Sequence, residues 1–199
     1  MFRILIFYFF LVSMEAIASN FSNFVEEQTT LIQSQDSNMP MRVTQITNLA
    51  DSLLLRSQCS DINPDIDKAI LQLLLDRMYA TVTDSNSLGV GIAAPQVGIT
   101  KNIIWVQRFD KQGEPFEYYF NPKILKYTEK KQECREGCLS IPIIMDTLNV
   151  RAYAIMIQYD TFEKRNVIEM VEGFTAVIFQ HEVDHLNGKL FIDYIKKEE

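Results

Sequence analysis

The sequence predicts an α+β fold in which mostly antiparallel sheets pack around a central C-terminal metal-binding helix. Three observations carry that expectation. A largely apolar stretch around Phe174 to Leu186 holds both histidines of the chain, His181 and His185, about one helical turn apart. A second helical pattern follows Asn63-Pro64, with Ile66, Ala69, Ile70, Leu73, Leu74 and Met78 at helical spacing. Between the two lies a run of short β-prone segments divided by turn residues, and strands grouped apart from helices suit α+β layering.

The 199 residues suffice for one sizeable core and require no second domain. With 26 acidic residues against 19 basic ones the net charge is -7, the wrong sign for a phosphate-binding surface, so direct nucleic acid binding is not expected. Three cysteines, Cys59, Cys134 and Cys138, cannot all pair within the chain.

Residues 1–18 read as a signal peptide: one positive charge at Arg3, an apolar run from Ile4 to Val12, and small residues at Ala16 and Ala18. The run falls short of the roughly 20 apolar residues that a spanning helix needs, so no permanent membrane span is expected. This leader implies an exported or periplasmic chain. The alternative is a translation start near Met39, which implies a cytoplasmic one. Residues 19–39, rich in Ser, Asn, Gln and Thr, read as a flexible polar linker, and 40–199 as the catalytic domain.

Within that domain Asn63 is expected to cap the first long helix, with Pro64 in its first turn. A loop at Thr83 to Ser87 leads into the glycine-containing segment 89–98, which lacks the lysine of a phosphate-binding loop. Two glycines in an apolar extended run admit close approach by another backbone, such as a peptide added as a strand; a tight packing turn fits the segment equally well. Strands are expected at Asn102 to Arg108, Glu117 to Phe120 and Ile124 to Glu129, with Asn121-Pro122 as a breaker. A hairpin is expected from Val150 to Tyr159 and Phe162 to Met170, turning at Asp160-Thr161. Asn187-Gly188 ends the last helix.

Two histidines four positions apart on a buried helix can share one metal ion, with Glu182 beside them to take and return a proton. Such a string also arises by chance on a solvated helix; here the apolar neighbours Ala176, Val177, Ile178, Phe179 and Val183 argue for burial, where histidines and acids need partners. Catalytic zinc sites usually hold three protein ligands. Cys138, in Glu136-Gly137-Cys138-Leu139-Ser140, is the natural third candidate, its other reading being a small buried hydrophobe. A Cys134–Cys138 disulfide is unsuitable: in an extended segment the two alpha carbons stand about 13 Å apart, against the roughly 7 Å that a disulfide tolerates.

Three ordered segments, GVGIAAPQ at 89–96, EGCLS at 136–140 and QHEVDH at 180–185, resemble the three signature motifs of the peptide deformylases, and the similarity runs from about Met41 to Tyr194. The resemblance implies that Cys138, His181 and His185 ligate one divalent metal, Fe2+ in the family, with Zn2+, Ni2+ or Co2+ able to substitute. It implies that Glu182 is the general acid/base, and that the Gln96 side chain and the Leu139 backbone N–H stabilise the oxyanion. Val90, Gly91 and Gly137 would meet the substrate backbone. Phe174, Val177 and Ile178 would line the methionine pocket, with Cys134 at its wall, and Asp184 would be held by Arg151 behind the ligands. The implied reaction is removal of the N-formyl group from formyl-methionyl peptides or nascent chains, releasing formate.

Two features depart from the family. The arginine that typical bacterial members carry a few residues after EGCLS is replaced here by the uncharged or acidic run Ile143-Ile144-Met145-Asp146-Thr147. A leader also conflicts with work on nascent chains in the cytosol, and thiolate-held iron is fragile in an oxidising compartment, which favours zinc. The competing functional readings are a metallopeptidase, and a metal- or peptide-binding protein of the same fold with little turnover.

Overall fold

Alternation of side chains along the strands of one sheet builds two cores at once. In the computed structural model, which describes residues 22–85 and 89–195, β1 (Gly91–Ala93), β2 (Ile103–Gln107), β3 (Phe116–Tyr127), β6 (Ala154–Asp160) and β7 (Val167–Glu172) form an antiparallel sheet in the order β1-β2-β3-β6-β7. Ile92, Ile103 and Phe120 face one side, where helix α3 (Lys68–Val82) packs with Leu71, Leu74, Leu75 and Met78. Ala93, Ile104 and Tyr119, one residue along in each strand, face the other side and meet Ala176, Ile178, Phe179 and Leu186 of α4 (Gly173–Leu186). The C-terminal helix is thus apolar over most of its circumference because it has packed neighbours on several sides.

A separate two-stranded sheet, β4 (Lys131–Cys138) and β5 (Ile141–Ala152), closes over the polar end of that arrangement. A third apolar cluster, Ile141, Leu148, Leu190 and Phe191, ties it to the chain beyond α4. Gln180 joins helix to hairpin: its side chain accepts from the Ala152 N–H at 2.9 Å and donates to the Ala152 carbonyl at 3.0 Å. The turn between β4 and β5 is pinned by Gln45, which donates to the Leu139 carbonyl at 3.0 Å, and by the Ile46 N–H, which donates to the Ser140 carbonyl at 3.0 Å.

Several expectations are corrected. The flexible linker at 19–39 instead contains a helix, α1 (Glu26–Gln33), with Phe24 and Ile32 buried. Buried Arg77 of α3 receives its end, donating to the carbonyls of Leu31 at 2.9 Å, Ile32 at 2.8 Å and Met39 at 3.2 Å. Two well-placed apolar side chains and one cation order a segment whose composition reads as polar. The first long helix starts at Lys68, not at Asn63: the Asn63 side chain accepts from the Asp65 N–H in a local turn, and Asp67, at φ 55, accepts from Ser22 and Asn23. A shorter helix, α2 (Leu49–Leu55), is capped by Asn48, whose side chain accepts from the Asp51 N–H.

Asn121-Pro122 does not break the strand it lies in. Asn121 adopts φ 51, its side chain bonds both backbone groups of Ile62, and the register shifts between Phe120 and Lys123. Such a bulge accommodates a proline that has no N–H to give. The strand expected from Val150 to Tyr159 is two, β5 and β6, parted at Tyr153, and β7 starts only at Val167. The glycine-containing segment is extended for just three residues, then turns through a 3-10 helix at Ala94–Val97. The helix-ending role of Asn187-Gly188 is seen: Asn187 caps α4 and Gly188 takes φ 68, where a Cβ would lie 2.3 Å from the Arg56 carbonyl oxygen. The leader at 1–18 lies outside the described residues. No helix among the described residues is long and apolar enough to cross a membrane.

Candidate metal centre and active site

Where β4 ends, its last residue meets the C-terminal half of α4. Cys138 Sγ lies 3.2 Å from His185 Nε2, and the ligand atoms of Cys138, His181 and His185 all fall within 4.8 Å of one another. The helix brings the two imidazoles together with ring centroids 5.1 Å apart, and Phe191 stacks on the ring of His181. Among the described residues this is the one group of three or more His, Cys, Asp or Glu side chains arranged to hold a metal.

The donor set fits a divalent ion by its own chemistry. Burial pulls the His181 imidazole down, but its contacts with Cys138 and Glu136 outweigh that and raise it to about 10. Burial, reinforced by His181, holds His185 well below its ordinary value. A thiol and two imidazoles with opposed proton affinities become one consistent set when a metal displaces their protons. Thiolate and imidazole donors suit zinc and iron better than magnesium or calcium.

Glu136 is the residue that sequence reasoning missed. Its buried carboxylate accepts from Arg151 Nε at 2.8 Å and Nη2 at 2.9 Å and is joined to His181 Nδ1 at 2.9 Å, which leaves Nε2 of that ring for a metal. Despite burial, the contacts with His181 and Arg151 hold the Glu136 carboxyl down at about 2. Arg151 also reaches Asp184 at 2.5 Å and lies over the Tyr194 ring. One guanidinium therefore joins the hairpin to the metal helix. No local spacing singles out Glu136, whose partnership with His181 arises where β4 meets α4.

Glu182 is buried and its Oε2 has no hydrogen-bond partner among the described residues; burial raises its carboxyl to about 7. Gly91 is its close neighbour. A Cβ built there would stand 2.5 Å from Glu182 Oε1 and 2.8 Å from Ile178 Cγ2, so only glycine lets the β1 backbone pass the carboxylate. Gln96 is fixed the other way round: its Oε1 accepts from the Ala93 N–H at 2.9 Å, which turns its amide nitrogen toward Cys138 Sγ and Ser140 Oγ, each at 3.4 Å.

A cavity of about 460 Å³ opens from these groups. It is lined by Val90, Gly91, Gln96, Gly137, Cys138, Leu139, His181 and Glu182, with Phe174, Val177 and Ile178 on the helix side and Cys134 on the hairpin side. His185, Asp184 and Arg151 lie behind that wall. Among the described residues β1 pairs only with β2, and Val90 and Gly91 at its start line the cavity. All the site residues named from sequence are thus gathered at one place, in two layers.

A family model described as polypeptide deformylase matches residues 43–199. The chain belongs to the polypeptide deformylase family. A peptide deformylase of Caulobacter sp. (strain K31) is 38% identical over 157 residues, covering 78% of this chain and 88% of that protein. The structure of a class I type b peptide deformylase from Acinetobacter baumannii with Met-Ala-Ser bound matches with a TM-score of 0.69 at 33% identity, covering 79% of this chain and 99% of that one. The peptide deformylase of Thermotoga maritima matches with a TM-score of 0.67 at 32% identity, covering 79% and 99%. In this deformylase family member, residues 22–42 lie upstream of the matched region and are folded onto it.

Proposed function

We propose that the chain is a metal-dependent hydrolase that removes the N-formyl group from formyl-methionyl peptides or proteins and releases formate. The observation that carries this reading is the cluster of Cys138, His181 and His185, of which Cys138 and His181 line a cavity that Val90 and Gly91 line from the β1 side, together with a Glu182 carboxyl oxygen that has no partner among the described residues.

Bound by the three ligands, a divalent ion supplies Lewis acidity, polarising a carbonyl and making water more acidic. The chain's own residues do the rest. The β1 edge at Val90 and Gly91 offers backbone groups to an extended peptide, which fixes its N-terminus near Glu182. Phe174, Val177 and Ile178, on the helix side of the cavity, form an apolar seat for the methionine side chain. The Gln96 amide nitrogen, aimed by the Ala93 N–H, and the Leu139 N–H are donors for negative charge developing on the formyl oxygen. Glu182 takes a proton from water and returns it to the departing amine, so that formate and a free N-terminus leave. Glu136, at the cavity wall, holds His181, and Arg151 and Asp184 brace it from behind.

Ferrous iron is the metal by family resemblance, with zinc favoured if the leader exports the chain; nickel and cobalt suit the same donors. The leader places this enzyme outside the cytoplasm in our proposal. Residues 22–38, which carry the buried Phe24 and Ile32, speak against the alternative start at Met39. N-terminal sequencing of the protein from its source cell should begin at Ser19; a start at Met39 would overturn export.

The activity is tested by offering formyl-Met-Ala-Ser and Met-Ala-Ser together to the metal-loaded chain. Formate and intact Met-Ala-Ser should be the products, and cleavage of an internal amide bond in either peptide would instead indicate a peptidase.

A further inference from the structure

Two donors for the formyl oxygen come from segments far apart in sequence: the Gln96 amide from the 3-10 turn after β1, and the Leu139 N–H from the turn between β4 and β5. Neither segment sets the separation of the two by itself. A strap before α2, residues 44–46, is bonded to both. The Thr44 N–H donates to the Gln96 carbonyl at 2.8 Å, and its hydroxyl to the Pro95 carbonyl at 3.1 Å. Gln45 Nε2 donates to the Leu139 carbonyl at 3.0 Å, and the Ile46 N–H to the Ser140 carbonyl at 3.0 Å. Gln96 Nε2 in turn lies 3.4 Å from Ser140 Oγ, so the strap and the two turns close a ring of hydrogen bonds.

The strap has anchors of its own. The Met41 N–H donates to Thr81 Oγ1 of α3 at 2.8 Å, and the Gln45 N–H to Asp51 Oδ2 of α2 at 2.9 Å. Asp51 is gripped by Arg42 through two bonds, at 2.7 and 2.8 Å. Thr44 is 1% exposed and Ser140 0%, so a bond lost there leaves a polar group without water to replace it. Neither Thr44 nor Gln45 lines the cavity, so their effect on the reaction passes through the residues they hold.

We propose that Thr44 and Gln45 are positioning residues that fix the two donors relative to one another, Thr44 through the Gln96 backbone and Gln45 through that of Leu139. The proposal rests on the reading of the cavity as a deformylase site. Holding the Leu139 carbonyl restricts rotation of the residue whose N–H is the donor. Such donors act only where charge develops, and a shift of about 1 Å can cost on the order of a hundred-fold in rate.

The test measures formate release from formyl-Met-Ala-Ser by the metal-loaded full chain and by Gln45→Met, which keeps the length of the side chain and removes its donor. kcat should fall about ten-fold or more, while KM, metal content and calorimetric affinity for the product Met-Ala-Ser stay at wild-type level, because the lost bond serves charge that appears only during reaction. Thr44→Val, which removes the hydroxyl and keeps the N–H, should lower kcat about three-fold or more. In a Gln96→Met background Thr44→Val should have no further effect, whereas Gln45→Met should still lower kcat, since the two residues serve different donors. Hydrogen exchange of residues 138–141 should quicken in Gln45→Met while the five-stranded sheet is unchanged. An unaltered kcat in Gln45→Met, unaltered exchange at 138–141, or a fall in kcat matched by lost metal and a lower Tm would overturn the proposal and leave deformylation intact. A wild type that releases no formate would instead defeat the deformylase reading, and the proposal with it.

Discussion

Glu182 and the residues that touch it set the chemistry at the scale of single side chains. Glu182→Ala removes the proton-transferring group but none of the three ligands. It should lower kcat by about 10²- to 10⁴-fold while metal content stays at wild-type level, measured by formate release and metal analysis on the same sample. Gly91→Ala drives a methyl group to within 2.5 Å of Glu182 Oε1 and should cost at least about ten-fold in kcat/KM. Glu136→Gln keeps the shape of the side chain but loses the charge that orients His181 and satisfies Arg151. Metal affinity, read by competition with a chelator, should fall about 10- to 100-fold. The sequence made the ligands legible because their spacing is dictated by the helix, whereas the partnership of Glu136 with His181 depends on where a strand crosses that helix, which no local spacing encodes.

Among elements, α1, α2 and the β4–β5 hairpin are those that pattern reading did not resolve. α1 buries few apolar residues, so its 3.6-residue periodicity is faint, and it is held by Arg77 from a distant helix. A chain shortened to begin at Met39 loses the burial of Phe24 and Ile32, roughly 1.5–3 kcal/mol each, and leaves Arg77 without its Leu31 and Ile32 partners. Its Tm should fall by about 10 °C or more, and a Tm equal to that of the longer chain would show that α1 contributes no stability. In β4 the less exposed positions Gln132, Cys134, Glu136 and Cys138 alternate as a strand requires, but they are polar or small, so hydrophobic alternation was not visible. α2 carries a pH-dependent contact. The Arg42 side chain, and after it the Gln45 N–H, hold the Asp51 carboxyl down at about 2. A folded value below the ordinary 3.8 means that the contribution is complete above about pH 4 and is lost as pH falls through 2. Asp51→Asn should be less stable than wild type at neutral pH by denaturant unfolding, with the difference vanishing toward pH 2.

For the molecule as a whole, three short ordered motifs make the site legible in the sequence, because each serves one wall of a single cavity: β1, the β4–β5 turn and α4. The sheet order and the hairpin that closes it were less legible, since Asn121-Pro122 reads locally as a strand end and is kept within β3 by the Asn121 contacts with Ile62. The cavity thus joins a candidate metal set, an acid with one oxygen unpartnered among the described residues, and an edge strand, which come from widely separated parts of the chain. The most direct test loads the purified chain with iron under anaerobic conditions, or with zinc, confirms one metal per chain, and follows formate release from formyl-Met-Ala-Ser. Release of one formate for each free amine formed, with at least about a hundred-fold loss in Glu182→Ala, is the expected result; a metal-loaded wild type that releases no formate would contradict it.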